Sequence, residues 1–426
     1  MFSSGMTSHS RLLQESRRWL ALLAIMALPA VAAAETLSWE ACVTMTAQQN
    51  AALRAAYDNV RAAEHLARSA FGGYLPSVSA SAGRTKYDYS TSSSTYTASV
   101  TATQNLFAGF KDQASVEQAE ANKTAADAAL RIARAQASFD LKSAFAALRY
   151  AQDSQKLADD IVRRREENLR LVELRFEGGR ENKGSFFLSR AAASQARYER
   201  LQAQHALWVA QDSLARVLGK DEARTIDIRG DVPEAPPPAT VALDALLPRT
   251  PEYEQALAQE KTAEADVRIA RSGLLPTLNL TGTAGRQGES WTPNEHRNSA
   301  GVSLTVPIYS GGKDYYATKG AVASLAAAQA SRENTVRTLR TRLQQGYTGY
   351  VQADEKRRVD REFVEAAATR AEIARSKYNN GLLSFEDWDI IENDLISRQK
   401  AALVSQRDRV TAEASWEQVQ GTGVIP

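Results

Sequence analysis

The chain is written twice. Set against itself at an offset of about 200 residues, it repeats the same signposts in the same order, and self-similarity constrains a fold before any residue is interpreted. Gly73-Tyr74-Leu75-Pro76-Ser77 matches Gly273-Leu274-Leu275-Pro276-Thr277. Leu106-Phe107-Ala108-Gly109 matches Ile308-Tyr309-Ser310-Gly311, and Arg175-Phe176-Glu177-Gly178-Gly179 matches Lys377-Tyr378-Asn379-Asn380-Gly381. A Pro-rich stretch from Asp231 to Ala239 separates the halves and reads as a linker. The expected organisation is a first repeat over 35–230, a linker or equatorial segment over 231–250 and a second repeat over 251–426.

Each half changes texture from period two to helical period. Val78, Ala80 and Ala82 alternate with serines, and Ala98, Val100 and Ala102 alternate with Thr97, Ser99, Thr101 and Thr103. In the second half Leu278, Leu280 and Ala284 alternate with Thr277, Asn279, Thr281 and Thr283, and Ala300, Val302, Leu304 and Val306 with Ser299, Gly301, Ser303 and Thr305. The spacing predicts four strands, about 77–89, 95–106, 277–287 and 298–307, each with one apolar and one hydroxyl face. That alternation suits a barrel between lipid and a wet lumen, and also a soluble sheet with one solvated face. Tyr87, Tyr89 and Tyr96 cluster near one polar hairpin tip, a pattern that suits an aromatic girdle at headgroup level and equally suits ordinary strand tyrosines. Four strands in lipid leave two unsatisfied edges, so a membrane sheet needs other chains; two copies give a filled eight-stranded barrel, three give twelve strands and a lumen.

The helical stretches are unusually long. Residues 111–175 contain neither Pro nor Gly, and 313–377 are interrupted only by Gly320, Gly346 and Gly349. At about 1.5 Å per residue, each would reach close to 100 Å. Leu130, Ala133, Ala137, Leu141, Ala144, Leu148 and Ala151 step by three and four, the spacing of a coiled-coil seam. Gly178-Gly179 and Asn380-Gly381 would end these helices, and return helices over 185–218 and 384–418 would complete two hairpins far from the strands. Shorter helices, 37–69 and 251–271, precede each strand pair.

At the N-terminus Arg17 and Arg18 precede an apolar run from Trp19 to Leu28 and then Ala32-Ala33-Ala34. A secretory signal over 1–34 is expected, since about ten apolar residues are too few to span a bilayer as a helix. Its removal takes away Arg11, Arg17, Arg18 and Glu15, so 52 Lys+Arg and 50 Asp+Glu become 49 and 49. A formally neutral chain argues against a nucleic-acid partner. The single Cys42 permits no intramolecular disulfide and reads as a small buried residue. His65, His205 and His296 are scattered without metal-ligand spacing, and no phosphate-cradling loop or catalytic constellation is visible. The expectation is a non-enzyme with no metal and no cofactor.

With its duplicated helix-strand-strand-helix order, its Leu-Pro approaches to the strands, the Pro307-Ile308-Tyr309-Ser310-Gly311-Gly312 exit and the Phe/Tyr-x-x-Gly turns, the chain resembles the TolC-like outer-membrane efflux protein family. The resemblance implies an α+β membrane protein: a trimeric, twelve-stranded transmembrane β-barrel continued by an α-helical coiled-coil periplasmic tunnel. It implies a passive, gated conduit of a tripartite efflux or type I secretion system in the cell outer membrane. The implied partners are two further copies, outer-membrane lipid, a periplasmic adaptor (membrane fusion) protein and an ABC or proton-driven inner-membrane transporter. By the same resemblance the hairpin tips form the periplasmic gate, with Asp387 in a constricting acidic ring, Glu386 and Asp389 beside it, and Tyr378 locking the closed state. Gly179, Gly381 and Leu382 match the turns that adaptor tips contact. The chain departs from some relatives in carrying Leu383 where they place an arginine of an inter-subunit bond, and Ser185 in place of an acidic partner.

The competing expectation is a periplasmic or surface coiled-coil protein with a structural or adhesive role. It accounts for the signal and the long helices but leaves the strands and the duplication unexplained.

Overall fold

The computed structural model describes residues 35–87, 93–221 and 226–426; the expected signal segment and Tyr89 lie outside them. Strand β1 (Glu35–Leu37) leads into helices α1 (Trp39–Gln49) and α2 (Ala51–Ala70). Next come β2 (Ser77–Tyr87), β3 (Ser93–Ala108), α3 (Lys111–Glu177) and α4 (Lys183–Leu218). After β4 (Ile226–Ile228) the order repeats as α5 (Leu243–Leu246), α6 (Pro251–Ser272), β5 (Thr277–Gly288), β6 (Glu295–Thr305), α7 (Lys313–Asn379) and α8 (Phe385–Gln420). The long helices are 67 residues in both halves and the return helices 36, so the duplication extends to element length.

The single helix expected over 37–69 is instead two. Asn50 takes extended backbone angles and accepts bonds at its Oδ1 from the Ala52 and Leu53 amides, capping α2. Its Nδ2 donates to the Val217 carbonyl, which fixes the break against the end of α4.

Strands β2, β3, β5 and β6 form one antiparallel sheet in that order. Up to Asn105 the register pairs even with even and odd with odd residues: Ala80 with Val100, Val100 with Ala284, and Ala284 with Asn298. All even positions therefore share one face until a bulge between Asn105 and Phe107, beyond which Phe107 stands opposite Leu278. On the odd face the hydroxyls meet directly, Ser81 Oγ with Ser99 Oγ at 3.0 Å and Thr101 Oγ1 with Thr283 Oγ1 at 3.2 Å. Among the described residues the outer edges of β2 and β6 pair with nothing.

Helix α3 is the hub. Its principal neighbours are α2 and α6 toward the strands and α4 and α8 toward the other end, while α7 packs on α6 and α8. The packing is possible because buried alanines recur every seven residues, as Ala114, Ala121, Ala128 and Ala135 and then as Ala137, Ala144, Ala151 and Ala158. Small side chains at the seam let backbones approach closely, and Leu141 and Leu148 fill the intervening positions. The result is a layer of helices in which α4 and α7 lie at opposite flanks. No described helix is long and apolar enough to cross a membrane.

Midway along the rod, β1 pairs in parallel with β4, Leu37 opposite Ile228. Around them lies the largest apolar cluster, with Trp39, Cys42, Phe145, Leu148, Leu214 and Leu218. Cys42 is fully buried, and Trp39 meets Phe145 edge-on at 5.3 Å. Beside this core runs a buried ionic cluster. Arg409, 1% exposed, donates to Glu413 at 2.6 Å, to Asp354 at 3.2 Å and to the Ala235 carbonyl of the linker. Lys142 of α3 bridges Glu413 at 3.4 Å and Glu417 at 2.7 Å. The cluster ties the Pro-rich linker to α3, α7 and α8 with countercharges for each buried ion.

Candidate functional site: the hairpin tips

At the end of the rod away from the sheet, both helical hairpins turn by the same chemistry. Gly179 and Gly381 take φ of +67° and +73°, the left-handed conformation that lets a helix close on itself. The Arg180 amide returns to Arg175 O and the Leu382 amide to Lys377 O, each at 2.8 Å. Asn182 caps α4 through Ser185 N, and Ser384 caps α8 through Asp387 N. Leu382 projects into solvent with 75% of its surface exposed, an apolar side chain at the extreme tip.

The two tips are joined to each other through Tyr378. Its ring stacks on Trp388 at 4.2 Å and 13°, meets Phe385 edge-on, and lies under the Arg175 guanidinium at 4.5 Å. Arg175 also donates to the Tyr378 carbonyl at 2.6 Å, and the Tyr378 hydroxyl donates to Glu181 Oε2 at 3.0 Å. Burial, followed by the bond to the Glu181 carboxylate, pushes the phenol well above the ordinary tyrosine range, so it remains a donor at every physiological pH. Val172, Ala374, Phe385 and Trp388 enclose the ring, so one aromatic side chain of the second repeat is held by a cation and an anion of the first.

The three expected gate carboxylates separate. Glu386 and Asp387 are exposed in the first turn of α8. Asp387 also accepts the Ser384 hydroxyl at 2.7 Å, so the capping pair is bonded side chain to side chain as well as side chain to backbone. Asp389 lies two residues on, about 200° around the helix, and faces α3. There it accepts from Arg165 at 2.9 Å and from Asn393 at 2.8 Å, and is mostly enclosed. Nearby, Glu392 is buried and bridged by Arg375 at 3.2 Å. Sequence reasoning missed Glu181, Arg175 and Trp388 as the partners of Tyr378. It looked for an acid at Ser185, whereas Glu181 stands two residues beyond the turn glycine.

With that geometry in hand, comparison with known proteins gives a single answer. Residues 43–220 and 242–422 each match the family described as Outer membrane efflux protein, one match per repeat. The chain belongs to that family. Among its relatives, the toluene efflux pump outer membrane protein TtgC of Pseudomonas putida is 25% identical over 282 residues, covering 63% of this chain and 57% of TtgC. The alkaline protease secretion protein AprF of Pseudomonas aeruginosa is 24% identical over 273 residues, covering 62% and 57%. The aligned region thus spans less than two thirds of the length of these curated relatives. The solved structure of the outer-membrane channel OprN superposes with a TM-score of 0.80 at 22% identity, covering 91% of both chains. The family places the protein in the outer membrane.

Proposed function

We propose that the chain is the channel subunit of a tripartite efflux or type I secretion system, a passive gated conduit from periplasm to exterior. The observation that carries the reading is the four-stranded sheet, with a hydroxyl face, an apolar face and two unpaired edges. In lipid each unsatisfied backbone group costs several kcal/mol, so β6 of one copy must pair with β2 of the next. Three copies supply twelve strands and leave room for a lumen lined by the odd-numbered Ser and Thr positions. The helical layer supports the same closure, since its flanks, α7 and α4, carry exposed Phe363, Ile373, Phe187, Leu188 and Trp208 that a neighbouring copy would cover.

In this reading residues 1–34 are the export signal, and 35–230 and 251–426 are the two repeats, joined by 231–250. The tips close the periplasmic mouth, with exposed Asp387 and Glu386 contributing an acidic ring, Tyr378 holding the two hairpins of one copy together, and Asp389 bracing α8 against α3. Gly179, Gly381 and Leu382 present the surface for a periplasmic adaptor, which links the conduit to an energised inner-membrane transporter of the ABC or proton-driven class. TtgC and AprF are named for toluene efflux and protease secretion, so both small molecules and polypeptides fall within the cargo this architecture serves.

Single-channel conductance in a planar bilayer tests the reading. Discrete cation-preferring steps are expected, with weaker preference in Asp387→Ala. A well-folded, reconstituted trimer that conducts nothing would overturn it.

A further inference from the structure

The even-numbered face of the sheet changes character along its height. From Leu278 and Leu304, through Leu280 and Val302, to Ala80, Val100 and Ala284, its rows are mostly apolar. This band spans about six residues of β5, roughly 20 Å along the strand. The next row toward the hairpin tips brings Arg286 opposite His296, the row above holds Arg84 opposite Tyr96, and the row above that Lys86. All four basic side chains are exposed. Arg84 donates to Ser94 Oγ at 3.2 Å and lies over the Tyr96 ring at 5.4 Å, and Tyr96 packs edge-on against Trp291 of the β5–β6 hairpin at 5.9 Å. Among the described residues none of Arg84, Lys86, Arg286 and His296 is paired with a carboxylate. Glu295, the nearest acid on the strands, lies on the odd face opposite Gln287.

We infer that Arg84, Lys86 and Arg286, flanked by Tyr96 and Trp291, form a binding site on the outer wall of the barrel for the phosphate-bearing headgroups of the outer leaflet. The inference rests on the reading of these strands as membrane-spanning with the even face toward lipid. The hairpin tips point away from the helices, hence outward from the cell. A cationic row directly above an apolar band, with aromatic rings at the same level, complements an anionic headgroup whose acyl chains lie against that band. Cations left without a carboxylate at that height are available to anionic headgroups, and a lumen-facing role is closed to them by the strand alternation. Arg297 shows the contrast: it stands one residue from His296 but on the odd face, where it donates to Gln287 Oε1 at 3.0 Å.

Native mass spectrometry of the detergent-solubilised full-length trimer, titrated with diphosphorylated lipid A, tests the site. Phosphatidylethanolamine serves as the zwitterionic comparison. The combined variant Arg84→Gln, Lys86→Gln, Arg286→Gln should bind lipid A at least tenfold more weakly, whereas Arg297→Gln, at the same height on the other face, should bind within twofold of wild type. Equal loss in both variants, wild-type binding in the combined variant, or displacement of lipid A by millimolar inorganic phosphate would each overturn the proposal. Conductance of the same preparations reads the channel separately. Pores with undiminished lipid retention in the combined variant sink the lipid site alone, and a wild-type trimer without pores removes the reading beneath it.

Discussion

Tyr378 of the second repeat donates its hydroxyl to Glu181 of the first at 3.0 Å, while Arg175 of the first lies over its ring. Splaying the α7–α8 hairpin away from the α3–α4 hairpin must break that bond and the Arg175–Tyr378 carbonyl bond together. A charge-assisted bond of this kind contributes about 1.5–3 kcal/mol. Tyr378→Phe keeps the stacking on Trp388 and removes only the hydroxyl, so the closed state should weaken while the fold persists. The expected outcome is roughly a tenfold rise in the open fraction of single channels, reproduced by Glu181→Gln to a smaller degree. Unchanged gating in both variants would show that the tips open without separating these hairpins.

Asp387 and Asp389 make a matched pair of carboxylates with different duties. Asp387 is exposed, and in the proposed trimer its repetition around a threefold axis would add negative potential at the mouth. Asp389 is bonded to Arg165, whose side chain is buried. Asp387→Asn should lower cation selectivity and leave thermal stability within about 0.5 kcal/mol. Asp389→Ala leaves Arg165 without its anion and should cost about 3 kcal/mol, read as a lower melting midpoint. The assignment fails if the selectivity change follows Asp389 instead.

The duplication, the strand alternation and the long uninterrupted helices were legible because each is a periodic property of local sequence. Contacts between the repeats were not. Glu181 and Tyr378 are separated by almost half the chain, and nothing local to either marks the other as its partner. Asp389 could be placed on α8 from sequence, but its facing α3 depends on the angular step from Asp387 and on Arg165, a residue of the other repeat. Asn50 reads as one polar residue in a helical run until the Val217 carbonyl shows what its side chain holds. Arg409 likewise reads as one charge among many on α8, because burial is set by the linker folded over it.

Removing Arg409 should be the most damaging single change in the middle of the rod. Burial pulls its charge down in favour, and Glu413 and Glu234 more than offset this, leaving the guanidinium held above its ordinary range. Glu413 is pushed up by burial and pulled back by Lys142 and Arg409. Arg409→Met takes the nearest countercharge from Glu413 and one donor each from Asp354 and the Ala235 carbonyl, leaving them only Lys142, Arg357 and Tyr350, at about 3 kcal/mol. Adding Glu413→Gln should recover part of the loss, since the undercompensated charge goes with it. Thermal unfolding followed by helical circular dichroism measures both. A double variant no better than the single would show that Arg409 matters through packing alone.

Tyr350 gives the same region an alkaline limit. Its hydroxyl donates to the Ala235 carbonyl, and burial, with Glu413 close by, pushes its pKa from 10.0 up to about 12. In the unfolded chain the phenol ionises near 10, whereas in the folded chain it keeps its proton until about 12. The native state therefore binds more protons in that window, and stability falls as pH rises through it. The stabilisation is complete below pH 10 and its loss across the window amounts to roughly 2–3 kcal/mol. Tyr350→Phe should lose about 1 kcal/mol at neutral pH with the hydrogen bond, yet show a shallower decline above pH 10. Denaturant midpoints for the two proteins on either side of that pH decide the matter, and parallel curves would place the alkaline sensitivity elsewhere.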